Sequence, residues 1–484
     1  MVKRWGNTNF LMIINMNTLL NLHRKLPFFR TVRYILLLLF ATLLCSCEKA
    51  LEPEYPDFLL SDSAIFEDTA TIDAAIANIY TALRDNSIVT GNTNGANVLL
   101  GLYADELDFY RADSQIDNSF YKHTVLPNDP AVLDFWNNSY ALVYSANAII
   151  EGLENSPLSD SEKDPFKGEA LFLRAYLHFY LSQLFGDIPY IKTTDYTINA
   201  SVSRMPLEAV FNQMKEDVQT AKSLLPDIES SGEKLRISKS VATAFLAKIY
   251  LYNKQWQKAF EESNNLIESG VYSWQPDLNQ VFLKESPSTI WQLKPEFEGA
   301  GTKEAEIFVF DFGPPYLYAL TDELIMGFEA GDLRKDIWTR EITDGSTSWY
   351  HAFKYKQYIY GGNSSEYSIL FRLSEQYLIR AEAALQLGRL QEAKNNIDVV
   401  RLRAGLQPTN AASSDEIFKE LMHQRKYELF TEQGNRWFDL KRTETANQIL
   451  GPIKSGWKST DVLFPLPQRE LLLNPNLNPQ NSGY

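Results

Sequence analysis

The sequence predicts a mainly α-helical protein: a scaffold of helical repeats carrying one long loop-rich insertion. Three observations predict it. Apolar residues recur at helical spacing through most of the chain. No strictly alternating stretch of comparable length competes with them. Two helix pairs, more than a hundred residues apart, repeat one another in register.

The first helix opens near Thr69, where Ala74, Ala75, Ile79, Tyr80 and Leu83 recur on one face. A second spans 135–153. A third, 168–185, is apolar almost all round (Ala170, Leu171, Leu173, Ala175, Tyr176, Phe179, Tyr180) and is expected to be buried. Gly186-Asp187-Ile188-Pro189 stops it. Helices are then expected over 206–225, 238–252, 256–269, 375–387, 390–404 and 415–432. Placing Ala247 on Ala381 brings Leu251 onto Leu385, Trp256 onto Leu390 and Ala259 onto Ala393 without a gap. Small residues at these spacings let two antiparallel helices approach closely. Ala247, Tyr250 and Ala259 fall where the tetratricopeptide pattern places its small, aromatic and small residues. The repeats are therefore assigned to about 69–270 and 373–443, with a loop-rich insertion at 271–372 and an extended C-terminal segment at 444–484. A loop-rich block of that size on a helical scaffold is usually functional.

At the N-terminus, Arg24, Lys25, Arg30 and Arg33 precede the apolar run 35–44, and small residues follow it. That is the order of a secretory signal, and ten apolar residues are too few to span ~30 Å of hydrocarbon. Leu44-Cys45-Ser46-Cys47 resembles a bacterial lipobox, which implies cleavage before Cys47 and acylation of that cysteine. Cys45 fits less well because bulky Leu44 precedes it. Residues 1–46 are thus expected to be a signal peptide, with either Met1 or Met16 as the start. A mature chain from Cys47 holds one cysteine and no disulfide. Of 46 lysines and arginines six lie in the signal, so 40 bases face 61 acids and the net charge moves from −15 to −21. Such a balance disfavours nucleic acid and anionic lipid as partners. The composition, 45% hydrophobic and 13% aromatic, excludes a disordered chain.

The C-terminal part carries the densest pattern. Arg425-Lys-Tyr-Glu428 leads through Glu432, Gly434, Arg436-Trp437-Phe438-Asp439 to Arg442, followed by Phe464-Pro465-Leu466-Pro467 and a terminal Asn474-Pro475 to Gly483-Tyr484. With Arg174-Ala-Tyr176, Leu184-Phe-Gly-Asp-Ile-Pro-Tyr190 and Trp136-Asn-Asn-Ser-Tyr140, this resembles the SusD/RagB family of outer-membrane nutrient-binding lipoproteins of Bacteroidetes. Ser482 departs from the proline that the family often has before its closing Gly-Tyr. The resemblance implies a non-enzymatic surface lipoprotein, lipid-anchored in the outer membrane through Cys47 and facing outward. It would bind an oligosaccharide or a peptide and pass it to a SusC-like TonB-dependent transporter. A helical-repeat scaffold of an outer-membrane assembly, with no nutrient site of its own, is the alternative. Arg425, Glu428, Glu432, Arg436 and Asp439 lie at one-turn spacings, so the signature is expected to be a charge ladder that clamps the C-terminal segment.

No catalytic motif is present: no His-Glu-x-x-His, no Gly-x-Ser-x-Gly and no glycine-rich loop after a strand. Gly451 to Gly456 has phosphate-loop spacing, but Trp457 stands where the lysine belongs. His123, His178, His351 and His423 show no metal-ligand spacing, and His178 is expected to be a satisfied core histidine. Asp105, Glu106, Asp108, Asp113 and Asp117 lack a calcium-loop pattern and are expected to form a solvated face. No metal and no cofactor is expected. What can bind is aromatic surface, since flat rings stack on the C–H faces of sugars. The resemblance places the ligand face in 102–121 and in the insertion. The rings singled out there are Tyr110, Trp349 and Tyr350, then Tyr316, Tyr318 and Trp291, although packing alone would explain each of them.

Overall fold

The computed structural model describes residues 64–484 apart from 112 and 230. The apolar run 35–44, Cys47 and both start methionines lie outside these residues. The principal helices are α1 Thr69–Asn86, α2 Ala96–Tyr103, α3 Pro130–Glu154, α4 Asp160–Phe185, α5 Leu207–Leu224, α6 Lys239–Tyr252 and α7 Trp256–Glu268. After the insertion come α8 Leu373–Gln386, α9 Leu390–Arg403, α10 Ser414–Leu429, α11 Asn435–Arg442 and α12 Gln468–Leu473. The protein is mainly α, as the periodicity predicts.

From α3 onward each helix packs on the next, so the array runs α3, α4, α5, α6, α7, then straight to α8, α9 and α10. α7 and α8 touch although a hundred residues separate them in sequence. The insertion therefore leaves the array and returns without breaking it. α4 is buried on every side from Gly168 to Phe185, as its all-round apolar pattern requires. It starts earlier than the apolar period indicates, at a capping box between Ser159 and Glu162. In the α6–α7 and α8–α9 hairpins, Ala247, Ala259, Ala381 and Ala393 sit fully buried where the helices cross. The two turns also match: Lys254 and Gly388, equivalent in the alignment, both hold positive φ (55° and 76°). Gly388 adopts that conformation without a Cβ clash, whereas Lys254 holds it against one.

Six short strands complete the fold: β1 Leu107–Phe109, β2 Thr289–Leu293, β3 Tyr318–Leu320, β4 Thr339–Thr343, β5 Ser348–Ala352 and β6 Ser368–Arg372. β2 and β6 pair antiparallel and tie the two ends of the insertion together. The others form one antiparallel sheet in the order β1-β3-β5-β4. Leu107 faces Leu320, Leu320 faces Tyr350, and Tyr350 faces Glu341. This sheet joins the segment after α2 to the insertion. The C-terminal 444–484 is not one extended segment. It folds into short helices and turns whose Phe464 and Leu466 are buried. The Asn481 amide fastens the tail, donating to the carbonyls of Phe185 and Phe464.

The charged signature is buried, but its pairs are not the local ones that its spacing predicts. α10 ends at Leu429, and Thr431, Gln433 and Gly434 take positive φ before α11 begins. That break re-aims every side chain after it. Glu428, fully buried, faces Arg334, Arg372 and Arg403. Glu432 pairs with Arg372 and Lys354, Arg425 with Asp439, and Arg436 with Asp105. No ligand is needed to explain any of these residues.

Of the acidic cluster, Asp105, Glu106 and Asp117 are buried and Asp108 is half-buried, which corrects the solvated-face expectation for all but exposed Asp113. Asp105 is buried between Arg436 and Lys426 (2.6 and 2.9 Å), and Asp117 accepts from the Tyr318 hydroxyl. Among the described residues Glu106 has no cation of its own. It accepts the Thr431 N–H at 3.3 Å, and burial, reinforced by neighbouring Asp105, pushes its carboxyl up to about 8. The folded state thus keeps a proton that the unfolded chain releases above about pH 4.3. The stability due to that proton is complete below this value and is lost as pH rises toward 8. Glu106→Gln, neutral at every pH, is expected to flatten the fall in melting temperature between pH 5 and 7, measured by thermal melts. An unchanged slope in the variant would assign that fall to other groups.

Candidate functional site

The exposed face of the four-stranded sheet and the loop before β3 bring several of the singled-out rings together. Tyr110 continues the pairing of β1, its N–H donating to the Leu317 carbonyl at 2.9 Å. Its ring is 39% exposed. The Trp349 indole, on β5, lies beside the Tyr110 hydroxyl. Burial, with Asp108 and Asp322 nearby, holds that hydroxyl above the usual phenol range. Alternation along β5 directs Tyr350 to the opposite face, where it packs against the core and stands across from Glu341 of β4.

The loop 311–317 borders these rings. Phe312 and Tyr316 project into solvent, 84% and 73% exposed. The Arg111 guanidinium lies 5.8 Å from the Tyr316 ring centroid and pairs with exposed Asp113. Gly313 lies flat against the Trp349 indole: a Cβ there would fall 2.1 Å from Cζ3. Only glycine fits while the indole stays in place. Gly313→Ala is therefore expected to turn Trp349 out of position, weakening ligand binding with little loss of stability, as titration and melting of the variant would show. At the other end of the loop, Asp311 accepts from the Tyr358 hydroxyl (3.0 Å) and pairs with Arg340. Tyr360 and Phe297 form a further exposed ring pair, centroids 5.7 Å apart.

Besides Tyr350, two more of the singled-out residues do not belong to this surface. Trp291 is fully buried among Tyr80, Phe172, Tyr176 and Phe371, its indole N–H donating to the Leu235 carbonyl. Tyr318 is 2% exposed, and its hydroxyl is taken by Asp117. Both are core residues: a ring walled in by other rings has no face left for a ligand. Gly313 and Asp322 join the surface although nothing in their local sequence marks them, and Asp108 joins it from the acidic cluster.

The arrangement offers flat apolar faces beside carboxylates. Asp108 is half-buried and accepts from the Tyr121 hydroxyl at 3.0 Å, while Asp322 and Glu323 are exposed. Rings can hold C–H faces while carboxylates accept hydroxyl protons. His178, by contrast, is a satisfied core histidine: Nδ1 donates to the Arg174 carbonyl and Nε2 accepts the Ile191 N–H, with burial lowering its pKa to about 4. Among the described residues no cluster of three or more His, Cys, Asp or Glu is placed to hold a metal ion. No described helix is long and apolar enough to cross a membrane.

Comparison with known proteins covers both halves of the molecule. Residues 57–251 match a family model described as starch-binding associating with outer membrane, and residues 338–484 match that of the SusD family. A SusD-like protein, P2, from Formosa agariphila is 28% identical, with 89% of this chain and 96% of that protein aligned. Among solved structures, a SusD superfamily protein from Bacteroides vulgatus superposes with TM-score 0.76 at 23% identity, over 87% of this chain and all of that one. Surface glycan-binding protein A from Bacteroides thetaiotaomicron, in complex with laminarihexaose, gives TM-score 0.71 at 18% identity, over 85% and 99% of the two chains.

Proposed function

The chain belongs to the SusD/RagB family, and from that premise we propose that it captures an oligosaccharide at the outer-membrane surface. The captured chain passes to a SusC-like TonB-dependent transporter. The observation that carries the reading is the rim of Tyr110, Trp349, Phe312 and Tyr316, the first two borne by the four-stranded sheet and the last two by the loop before β3. Sugars fit it better than peptides do. The rings stand beside carboxylates that accept hydroxyl protons, and a structural relative was solved with laminarihexaose. Tyr350 supports the rim from behind and is not assigned a contact.

Acyl chains on Cys47 hold the protein at the membrane, facing outward. Tethering a ligand-loaded protein beside a pore raises the local concentration of ligand there, which is the gain that such a partnership supplies. The protein binds and does not convert its ligand, so turnover of any glycan is not expected. Tryptophan fluorescence of the full chain, titrated with laminari-, malto-, cello- and xylohexaose and with peptide pools, tests the reading. Saturable binding of one sugar, with a large barrel protein recovered from outer membranes alongside the chain, is the expected result. Binding of peptides alone would change the ligand class. No binding, with the barrel still recovered, would favour a scaffold without a nutrient site.

A further inference from the structure

α3 carries a second row of rings. Trp136, Tyr140 and Tyr144 follow one another at four-residue intervals, so they lie on one face in steps of about 6 Å. They line an open groove of about 510 Å³, closed on its other side by the segment after α4 and by α12. That volume falls in the ordinary range for small-ligand sites. No residue of the insertion or of 102–121 contributes to it.

The rings are graded in depth. Trp136 forms the floor, tilted against Tyr140 with centroids 4.9 Å apart. Tyr140 is fixed by its hydroxyl, which donates to the Pro189 carbonyl at 2.8 Å. Tyr144 stands at the rim, 54% exposed, with a free hydroxyl. Between and opposite the rings lie polar groups that make no hydrogen bond within the described residues. They are the Trp136 indole N–H, the Asn137 amide and the Glu470 carboxylate, the last partly buried against apolar side chains. An apolar protein segment laid over the groove would leave these donors and acceptors unpaired, which is costly. A sugar chain satisfies both halves: C–H faces against the rings, and hydroxyls that donate to Glu470 and accept from Trp136 and Asn137.

We infer that the α3 groove is a second oligosaccharide-binding subsite, separate from the loop surface. The inference rests on the glycan-binding reading above. Two subsites on one chain would hold a long glycan at two points, and the second contact would form at high effective concentration.

Isothermal titration of the full chain with laminari-, malto-, cello- and xylohexaose tests it, beside the variants Tyr144→Ala, Glu470→Gln and Trp349→Ala. Two sites per chain for at least one sugar are expected. Tyr144→Ala should remove one of them, and Glu470→Gln should weaken the same one by about tenfold, as for loss of a charge-assisted hydrogen bond. Tyr144 is exposed, and the Glu470 carboxylate makes no hydrogen bond within the described residues, so thermal melts should be unchanged. A single site abolished by Trp349→Ala and indifferent to Tyr144→Ala would leave the protein a glycan binder and overturn the subsite. A single site abolished by Tyr144→Ala and kept in Trp349→Ala would uphold the subsite and overturn the loop surface. Sugar binding unaltered by Tyr144→Ala, but recovery of the barrel protein lost, would make the groove a protein contact and overturn the inference. No heat from any of the four sugars would overturn both.

Discussion

Replacing Glu428 with alanine is expected to destabilise the protein by about 3–5 kcal/mol. The residue is fully buried, and its carboxylate is the shared acceptor for Arg334, Arg372 and Arg403. Those arginines hold its pKa far below the usual carboxylate range, against the opposing effect of burial. Of the three, Arg334 also has Asp332, and Arg372 also has Glu432. Among the described residues Arg403 has no other carboxylate, and it stacks on Trp274 with its guanidinium carbon 4.1 Å from the ring centroid. Alanine would therefore leave one buried guanidinium without a counter-charge and two others with half of theirs. Urea denaturation of wild type and variant measures the loss. A change below about 1 kcal/mol, the size of a surface pair, would mean that water reaches the arginines and that the node is not closed.

Trp349→Ala is expected to weaken oligosaccharide binding by roughly 10- to 100-fold, the loss of about 1.5–3 kcal/mol that removing one buried aromatic contact entails. The melting temperature should hardly move, because the indole is only half-buried and rests on Gly313 and Tyr110 rather than in the core. Titration of the sugar that binds wild type, with melts of both proteins, separates the two effects. A Trp349→Ala variant that unfolds early would make the indole structural. One that binds as wild type does would move the site to other rings.

How much was legible in the sequence follows from the range of each interaction. The helices and the matched hairpins declared themselves, because helical period and the Ala247–Ala381 alignment are local patterns that survive in one dimension. The start of α4 at Ser159 was missed because its cap is polar and precedes the apolar period. The sheet was invisible: its strands are three to five residues long, and Leu107 meets Leu320 across two hundred positions. The charge signature was legible as structural, but its partners were not. Spacing can propose only neighbours one turn away, and Arg334 reaches Glu428 from outside the signature altogether. Aromatic composition marked the binding blocks without separating Trp349 from Trp291. One ring lies over a glycine at the surface and the other is walled in by four rings, a difference that only the folded chain creates.

The arginines that close on Glu428 come from both parts of the molecule: Arg334 and Arg372 from the inserted block, Arg403 from the helical array. The rim rings stand apart from that knot: Tyr110 at the end of β1, Trp349 on β5, and Phe312 and Tyr316 on an exposed loop. Such a layout separates what must stay fixed from what is free to vary. Substitutions at Phe312 or Tyr316 can accumulate and redirect the protein toward a different glycan while the frame beneath keeps its stability. The node thus acts as a source of evolvability, letting one architecture be retuned to new nutrients at its edge.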